Sequence, residues 1–231
     1  MRVALIAIGD ELLAGDTVNT NAAWLGTRLT ERGATVDRAA VVPDRIDEIA
    51  DTISCFHERY DAVLITGGLG PTPDDLTMDA VARAFDREVT TSEEAVEWLD
   101  TYDGYKGAPA ADTTVLPAGA RVLHNEEGVA PGCVVDSVYV FPGIPKEMKP
   151  MFESVANEFA GTANTVETVH ADEPESVLLD RIEGVRERFN VTVASYPGEH
   201  VRLKIQSSDG EAATAAADWL TERVDTVDKN E

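Results

Sequence analysis

A chain of 231 residues with 43% hydrophobic content has the length for one large domain, or for a medium and a small one, around a proper core. Its 43 acidic and 19 basic residues give a net charge of −24 spread along the whole chain, a balance that disfavours non-specific nucleic-acid binding and predicts solubility in concentrated salt, as in a halophile. No apolar run approaches the length of a membrane span, and the two distant cysteines, Cys55 and Cys133, lack metal-ligand spacing, so a cytoplasmic protein with reduced thiols is expected.

The opening MRVALIAIGDELL reads as a first strand, Val3 to Ile8, followed by Gly9-Asp10-Glu11, rather than as a signal peptide. Asn19-Thr20-Asn21 offers caps for a helix from about Ala22 to Arg32, apolar at Ala23, Leu25 and Leu29, with Gly33 as its stop. A second strand, Thr35 to Val42, leads to Pro43-Asp44, after which Ile46, Ile49 and Ile53 mark the inward face of a helix to about Arg59.

The short β-branched run Ala62-Val63-Leu64-Ile65 then reads as a buried strand ending at Thr66. It delivers Gly67, Gly68 and Gly70 to a helix expected from Leu76 to Phe85. A glycine-rich turn between a strand and a helix N-terminus offers amide donors and a favourable dipole to an anion, which is the physics of a phosphate site. The loop is neither the dinucleotide fingerprint nor a Walker loop, since no lysine follows its last glycine. Asp74 and Asp75 sit in the same loop, and carboxylates beside phosphates repel them unless a hard cation such as Mg²⁺ lies between. A metal-bound nucleotide or other phosphorylated ligand is therefore expected.

Ser92-Glu93-Glu94 starts a further helix through Leu99, and the β-α-β-α-β-α order predicts an α/β fold: a mainly parallel sheet with helices on both faces. Gly9 to Glu11, Asp44 and Gly67 to Asp75 all fall at strand carboxyl ends, where such folds bind ligands. From Asp100 to Asp112 the small and proline-bearing residues predict an exposed loop. Arg121 to His124 reads as a short strand, residues 125–132 as a second glycine loop, and GCVVDSVYVF as a hairpin turning at Asp136-Ser137. A helix follows from Lys146 to about Phe159. The small, polar stretch from Gly161 to Asn164 marks a boundary. Beyond it a βαββα unit is expected: strand Val166 to His170, helix Glu175 to Phe189, strands Val191 to Ser195 and Val201 to Gln206, and helix Glu211 to Val224. The domains are thus 1–163 and 164–226, with a solvated tail over 227–231.

Taken together, Gly9-Asp10-Glu11-Leu12-Leu13 with Asn19-Thr20-Asn21, Pro43-Asp44, TGGLGPTPDDLT from Thr66 to Thr77, Asn125 with Gly128 and Ala130-Pro131-Gly132, and Phe141-Pro142-Gly143-Ile144-Pro145 with Glu147-Met148 resemble the molybdopterin-binding superfamily of molybdenum-cofactor biosynthesis, and most closely its CinA-like branch. The resemblance covers Met1 to about Phe159. The C-terminal unit looks like the small KH-type α+β domain of longer CinA proteins, and the amidohydrolase domain that often follows it there is not expected here. A GxxG loop is missing from Pro197-Gly198-Glu199-His200, which argues against RNA.

The resemblance implies Mg²⁺ and one of two chemistries: hydrolysis of a nucleotide pyrophosphate such as ADP-ribose, or adenylyl transfer onto molybdopterin. A non-catalytic binder of either ligand is the third reading. It implies Asp75 and Asp44 as catalytic carboxylates and, with Asp10 and Glu11, as the metal set. Gly67, Gly68 and Gly70 would cradle phosphates, Thr72 and Thr77 would donate hydroxyls, and Gly132, Pro142 and Gly143 would shape the facing wall. A homo-oligomer is implied as well. Plainer readings stand beside these: Asp44 as an N-cap and Glu11 facing solvent, His124 packing locally instead of binding metal, Tyr196 in a core or hinge instead of stacking a base, and Lys146 solvated at a helix start instead of serving the phosphate wall.

Overall fold

The computed structural model describes residues 1–72, 74–101, 113–161 and 165–226, so most of the loop expected from Asp100 to Asp112, and the tail, lie outside the described residues. The chain divides into two compact units, Met1–Gly161 and Thr162–Glu231.

The first unit runs β1 (Arg2–Ile8), α1 (Asp10–Ala14), α2 (Thr20–Glu31), β2 (Thr35–Val42), α3 (Ile46–His57), β3 (Ala62–Thr66), α4 (Thr77–Ala84), β4 (Val89–Thr91), α5 (Glu93–Thr101), β5 (Val115–Pro117), β6 (Arg121–Leu123), β7 (Gly132–Val135), β8 (Val138–Phe141) and α6 (Pro145–Val155). Six strands form one sheet in the order β2-β1-β3-β8-β7-β6. The pairs β1–β2, β1–β3 and β3–β8 are parallel, whereas β8–β7 and β7–β6 are antiparallel. The hairpin turns at Asp136, whose φ of 54° is the left-handed conformation that a tight turn between strands demands.

Alternate residues of the central strands enter opposite cores, as the two-residue period of a strand requires. Val3, Leu5, Ala62 and Leu64 pack with Leu25 and Leu29 of α2 and with Met148, Met151 and Phe152 of α6. Ile6, Ile8, Val63 and Ile65 pack with Ile49 and Ile53 of α3 and Val81 of α4. Phe152 stacks on Phe159 at 5.5 Å and meets Trp24 edge-on at 5.6 Å, which locks α6 against α2. Arg28 of α2 and Arg32, the residue that follows the helix, reinforce that contact by holding Glu153 at 2.6 and 2.8 Å.

Three features differ from expectation. The stretch after Gly9 forms the one-turn helix α1, which buries no side chain and ends at Gly15 with φ 80°. Strands β4 and β5 pair as a separate two-stranded ribbon, and every residue of β4 is exposed. Helix α6 ends at Val155, and a tighter 3-10 turn, Ala156–Phe159, continues to Phe159.

The second unit runs β9 (Thr165–Ala171), α7 (Glu175–Phe189), β10 (Thr192–Tyr196), β11 (Val201–Ser207) and α8 (Gly210–Thr221), with an antiparallel sheet ordered β10-β11-β9. Leu178, Ile182 and Val185 of α7 and Ala213, Ala216, Ala217 and Leu220 of α8 recur at three- and four-residue spacing and are buried. Most of them share a core with Val169, Val193, Leu203 and Ile205 of the sheet. Among the described residues no helix is long and apolar enough to cross a membrane.

Candidate functional site

Parallel strands present their carboxyl ends at one edge of a sheet, and the register makes those ends level. Ile8 pairs with Val42, Ala7 with Thr66, and Thr66 with Phe141. The residues that follow, Gly9, Asp44, Gly67 and Pro142, therefore open into one space. They line a cavity of about 680 Å³ together with Glu11, Asn21, Gly68, Gly70, Asp74, Asp75, Gly143 and Glu147. Segments distant in sequence thus converge on a single crevice.

The glycine loop is fitted tightly to its surroundings. Gly67 adopts φ 106°, and a Cβ there would lie 2.3 Å from the Ile8 carbonyl oxygen; Gly68 adopts φ 66° with Thr77 Oγ1 in the place of its missing Cβ. The N–H of Gly67 donates to the Phe141 carbonyl at 3.1 Å, closing the end of the β3–β8 ladder. Among the described residues the N–H groups of Gly68, Leu69 and Gly70 donate to no protein acceptor, which leaves three successive amides for a ligand.

Two of the expected phosphate contacts are corrected. Thr77 is fully buried and its hydroxyl donates to the Gly67 carbonyl at 2.9 Å, so it braces the loop from behind instead of facing a ligand. Gly132 lies buried in β7, away from the cavity lining, where a Cβ would meet the Val140 carbonyl at 2.3 Å and Met151 Sδ at 2.5 Å. Its bareness lets α6 approach the sheet. Thr72, which is exposed, donates both its N–H (3.0 Å) and its hydroxyl (2.5 Å) to Asp75 Oδ2. The Asp75 carboxylate occupies the space where Gly70 lacks a Cβ.

Asp44 is half-buried, and burial lifts its carboxyl above the ordinary range; the Asp10 N–H opposes this, while the charges of Asp10, Glu11 and Asp74 add to it. A carboxyl raised in this way is suited to taking up a proton. The expected four-carboxylate metal set is also corrected. Asp10 turns its N–H, at 2.8 Å, toward Asp44 and its side chain lies outside the cavity lining. Among the described residues no three His, Cys, Asp or Glu side chains are grouped closely enough to hold a metal ion between them. An all-protein metal cage is therefore not built among them; a cation that keeps several waters and takes only one or two carboxylates with phosphate oxygens, as Mg²⁺ does, needs no such cage.

Other singled-out residues have local roles. His124 stacks on Trp98 at 5.2 Å and reaches Glu94 at 3.3 Å. Lys146 pairs with Glu127 at 2.7 Å, and the guanidinium of Arg202 lies 4.7 Å from the Tyr196 ring centre. Asn125 and Glu147, named above only as part of a motif, form a hydrogen-bonded pair of which Glu147 lines the cavity. An asparagine in a glycine-rich loop reads as a turn residue, so no local signal marks it as buried.

Residues 4–161 match the family described as a probable molybdopterin binding domain. A protein of Archaeoglobus fulgidus is 34% identical, over 96% of this chain and 97% of its own length. A CinA-like protein of Citrifermentans bemidjiense is 35% identical over 97% of this chain, which spans 58% of that protein's length. Among solved structures, the protein CinA of Thermoplasma acidophilum, described as of unknown function, is 34% identical with a TM-score of 0.64, covering 70% of this chain and 100% of its own.

Proposed function

The chain belongs to the molybdopterin-binding family, in its CinA-like branch, and on that premise we propose that it is a Mg²⁺-dependent hydrolase of nucleotide pyrophosphates such as ADP-ribose. One observation carries the reading: the amides of Gly68, Leu69 and Gly70, which have no acceptor among the described residues, share a cavity with the carboxylates of Glu11, Asp44, Asp74 and Asp75. Amides without protein acceptors stabilise charge on phosphate oxygens without reorganising. Carboxylates beside them are unfavourable for an anion alone and favourable for one that arrives with a cation. When bound, Mg²⁺ held by one or both of Glu11 and Asp75 would neutralise the diphosphate and polarise its phosphorus.

In this reading a water oxygen attacks one phosphorus and the bridging P–O bond breaks, releasing AMP and a sugar phosphate. Asp44 accepts the proton of the attacking water, a role consistent with its raised pKa and with the Asp10 N–H that fixes one of its oxygens. The loop amides hold the non-bridging oxygens, and Thr72 holds Asp75 against Gly70. Molybdopterin adenylyl transfer is the second reading, favoured by the description of the matched family.

Incubation with ADP-ribose, FAD, or ATP plus molybdopterin, with and without Mg²⁺ in high salt, separates the alternatives. AMP release without pterin supports hydrolysis, and pterin-dependent AMP transfer supports the second reading. Tight binding without turnover would make the protein a binder and overturn both.

A further inference from the structure

One carboxylate in the cavity stands apart from those assigned above. Glu147 lies in the first turn of α6 and is half-buried at the cavity wall. Fully buried Asn125 donates from Nδ2 to Glu147 Oε2 at 2.7 Å and to the Ala130 carbonyl at 3.0 Å, while its Oδ1 accepts the Glu127 N–H at 3.2 Å. The asparagine is thereby anchored on three sides, and it anchors the carboxylate. Gly128 completes the mount, since a Cβ there would lie 2.5 Å from Glu147 Oε2.

Part of the cavity lining is apolar. Val129, Ala130, Ile144 and Pro145 line the same cavity, as does Val18; Val18 and Ile144 are 79% and 57% exposed. Such a lip suits the uncharged half of a ligand. A second acceptor belongs to this cavity too: Asn21 is 8% exposed, its Nδ2 donates to the Gly143 carbonyl at 2.7 Å, and its Oδ1 is buried with no hydrogen-bond partner among the described residues. Unused acceptors in a ligand cavity call for hydrogen-bond donors, and a carboxylate can accept two.

We propose that Glu147, mounted on Asn125, is the specificity residue that receives paired hydrogen-bond donors on the organic half of the ligand, either vicinal sugar hydroxyls or the amino edge of a heterocycle. The inference rests on the diphosphate reading of the glycine loop.

The test is Glu147→Gln, which retains an oxygen for Asn125 but presents an amino group to the ligand. Wild type and variant are titrated by calorimetry, with Mg²⁺ in concentrated KCl, with inorganic pyrophosphate, ADP, inosine diphosphate and 2′,3′-dideoxy-ADP. The variant is expected to bind pyrophosphate as wild type does and ADP about tenfold or more weaker, the size of one lost charge-assisted contact. A loss kept with inosine diphosphate but gone with the dideoxy compound assigns the hydroxyls; the reverse pattern assigns the amino edge. Unchanged ADP binding, or an equal loss for pyrophosphate, overturns the inference and leaves the glycine-loop reading standing. A wild type that binds neither pyrophosphate nor ADP overturns both.

Discussion

The N–H of Asp10 donates to Oδ2 of Asp44 across 2.8 Å, tying the first residue of α1 to the loop that follows β2. The bond holds the Asp44 carboxylate while burial and the charges of Asp10, Glu11 and Asp74 act against its ionisation. A carboxyl whose folded pKa lies above its unfolded one contributes stability below the ordinary carboxylate range and loses it as pH rises through the folded pKa. Asp44→Asn keeps an oxygen for the Asp10 N–H and removes the charge. It is therefore expected to raise the melting temperature at neutral pH, with the gain shrinking as pH falls into the carboxylate range. If the chain hydrolyses nucleotide pyrophosphates as proposed, turnover should fall at least about a hundredfold, the usual contribution of general base catalysis. Equal melting temperatures at neutral pH would remove the electrostatic account of this residue.

Much of the first unit was legible because strong signals repeat. The strand-loop-helix order and the apolar runs of β1 and β3 identify a parallel sheet, and parallel ends necessarily converge, which places Gly9, Asp44 and Gly67 together. What the residues did not reveal is direction. Thr77 has the same sequence environment whether its hydroxyl faces a phosphate or the Gly67 carbonyl, and burial decides it. Helix α1 and strands β4 and β5 escaped because they are too short for a period to register. The pairing of Asn125 with Glu147, 22 residues apart, is set by the folding of α6 beside the second glycine loop.

Gly67 and Gly15 both have positive φ, 106° and 80°, but their surroundings differ. A Cβ at Gly15 would meet nothing within 4 Å, so Gly15→Ala should cost only the left-handed backbone penalty of about 1–2 kcal/mol. At Gly67 the Ile8 carbonyl stands at 2.3 Å, and backbone cannot step aside as a side chain does. Gly67→Ala is expected to lose clearly more stability than Gly15→Ala in chemical denaturation, together with nucleotide binding. Similar losses for the two would mean that the loop is not wedged against β1.

With a net charge of −24, the folded chain carries a self-repulsion that its arginine pairs relieve only at the surface. Screening contracts from about 10 Å at 0.1 M salt to about 3 Å at 1 M. Raising KCl across that range is expected to raise the melting temperature steadily, by several degrees or more. A flat or falling curve would contradict the halophilic reading of the composition.

Thr72 and Thr77 flank the same loop and separate a ligand-side role from a bracing one. Thr77→Val removes the donor to the Gly67 carbonyl while keeping the shape, so a buried acceptor is left unpaired at a cost of about 1–3 kcal/mol. Thr77→Ser restores the donor and should recover most of that loss. Thr72 is exposed, and replacing it with valine should shift stability by no more than about 0.5 kcal/mol. The Asp75 carboxylate then loses the hydroxyl that accompanies the Thr72 N–H on Oδ2, so the Mg²⁺ concentration for half-maximal activity should change while the fold does not. If Thr77→Val left stability intact and weakened only pyrophosphate binding, its hydroxyl would have to face the ligand after all, and the bracing assignment would be wrong.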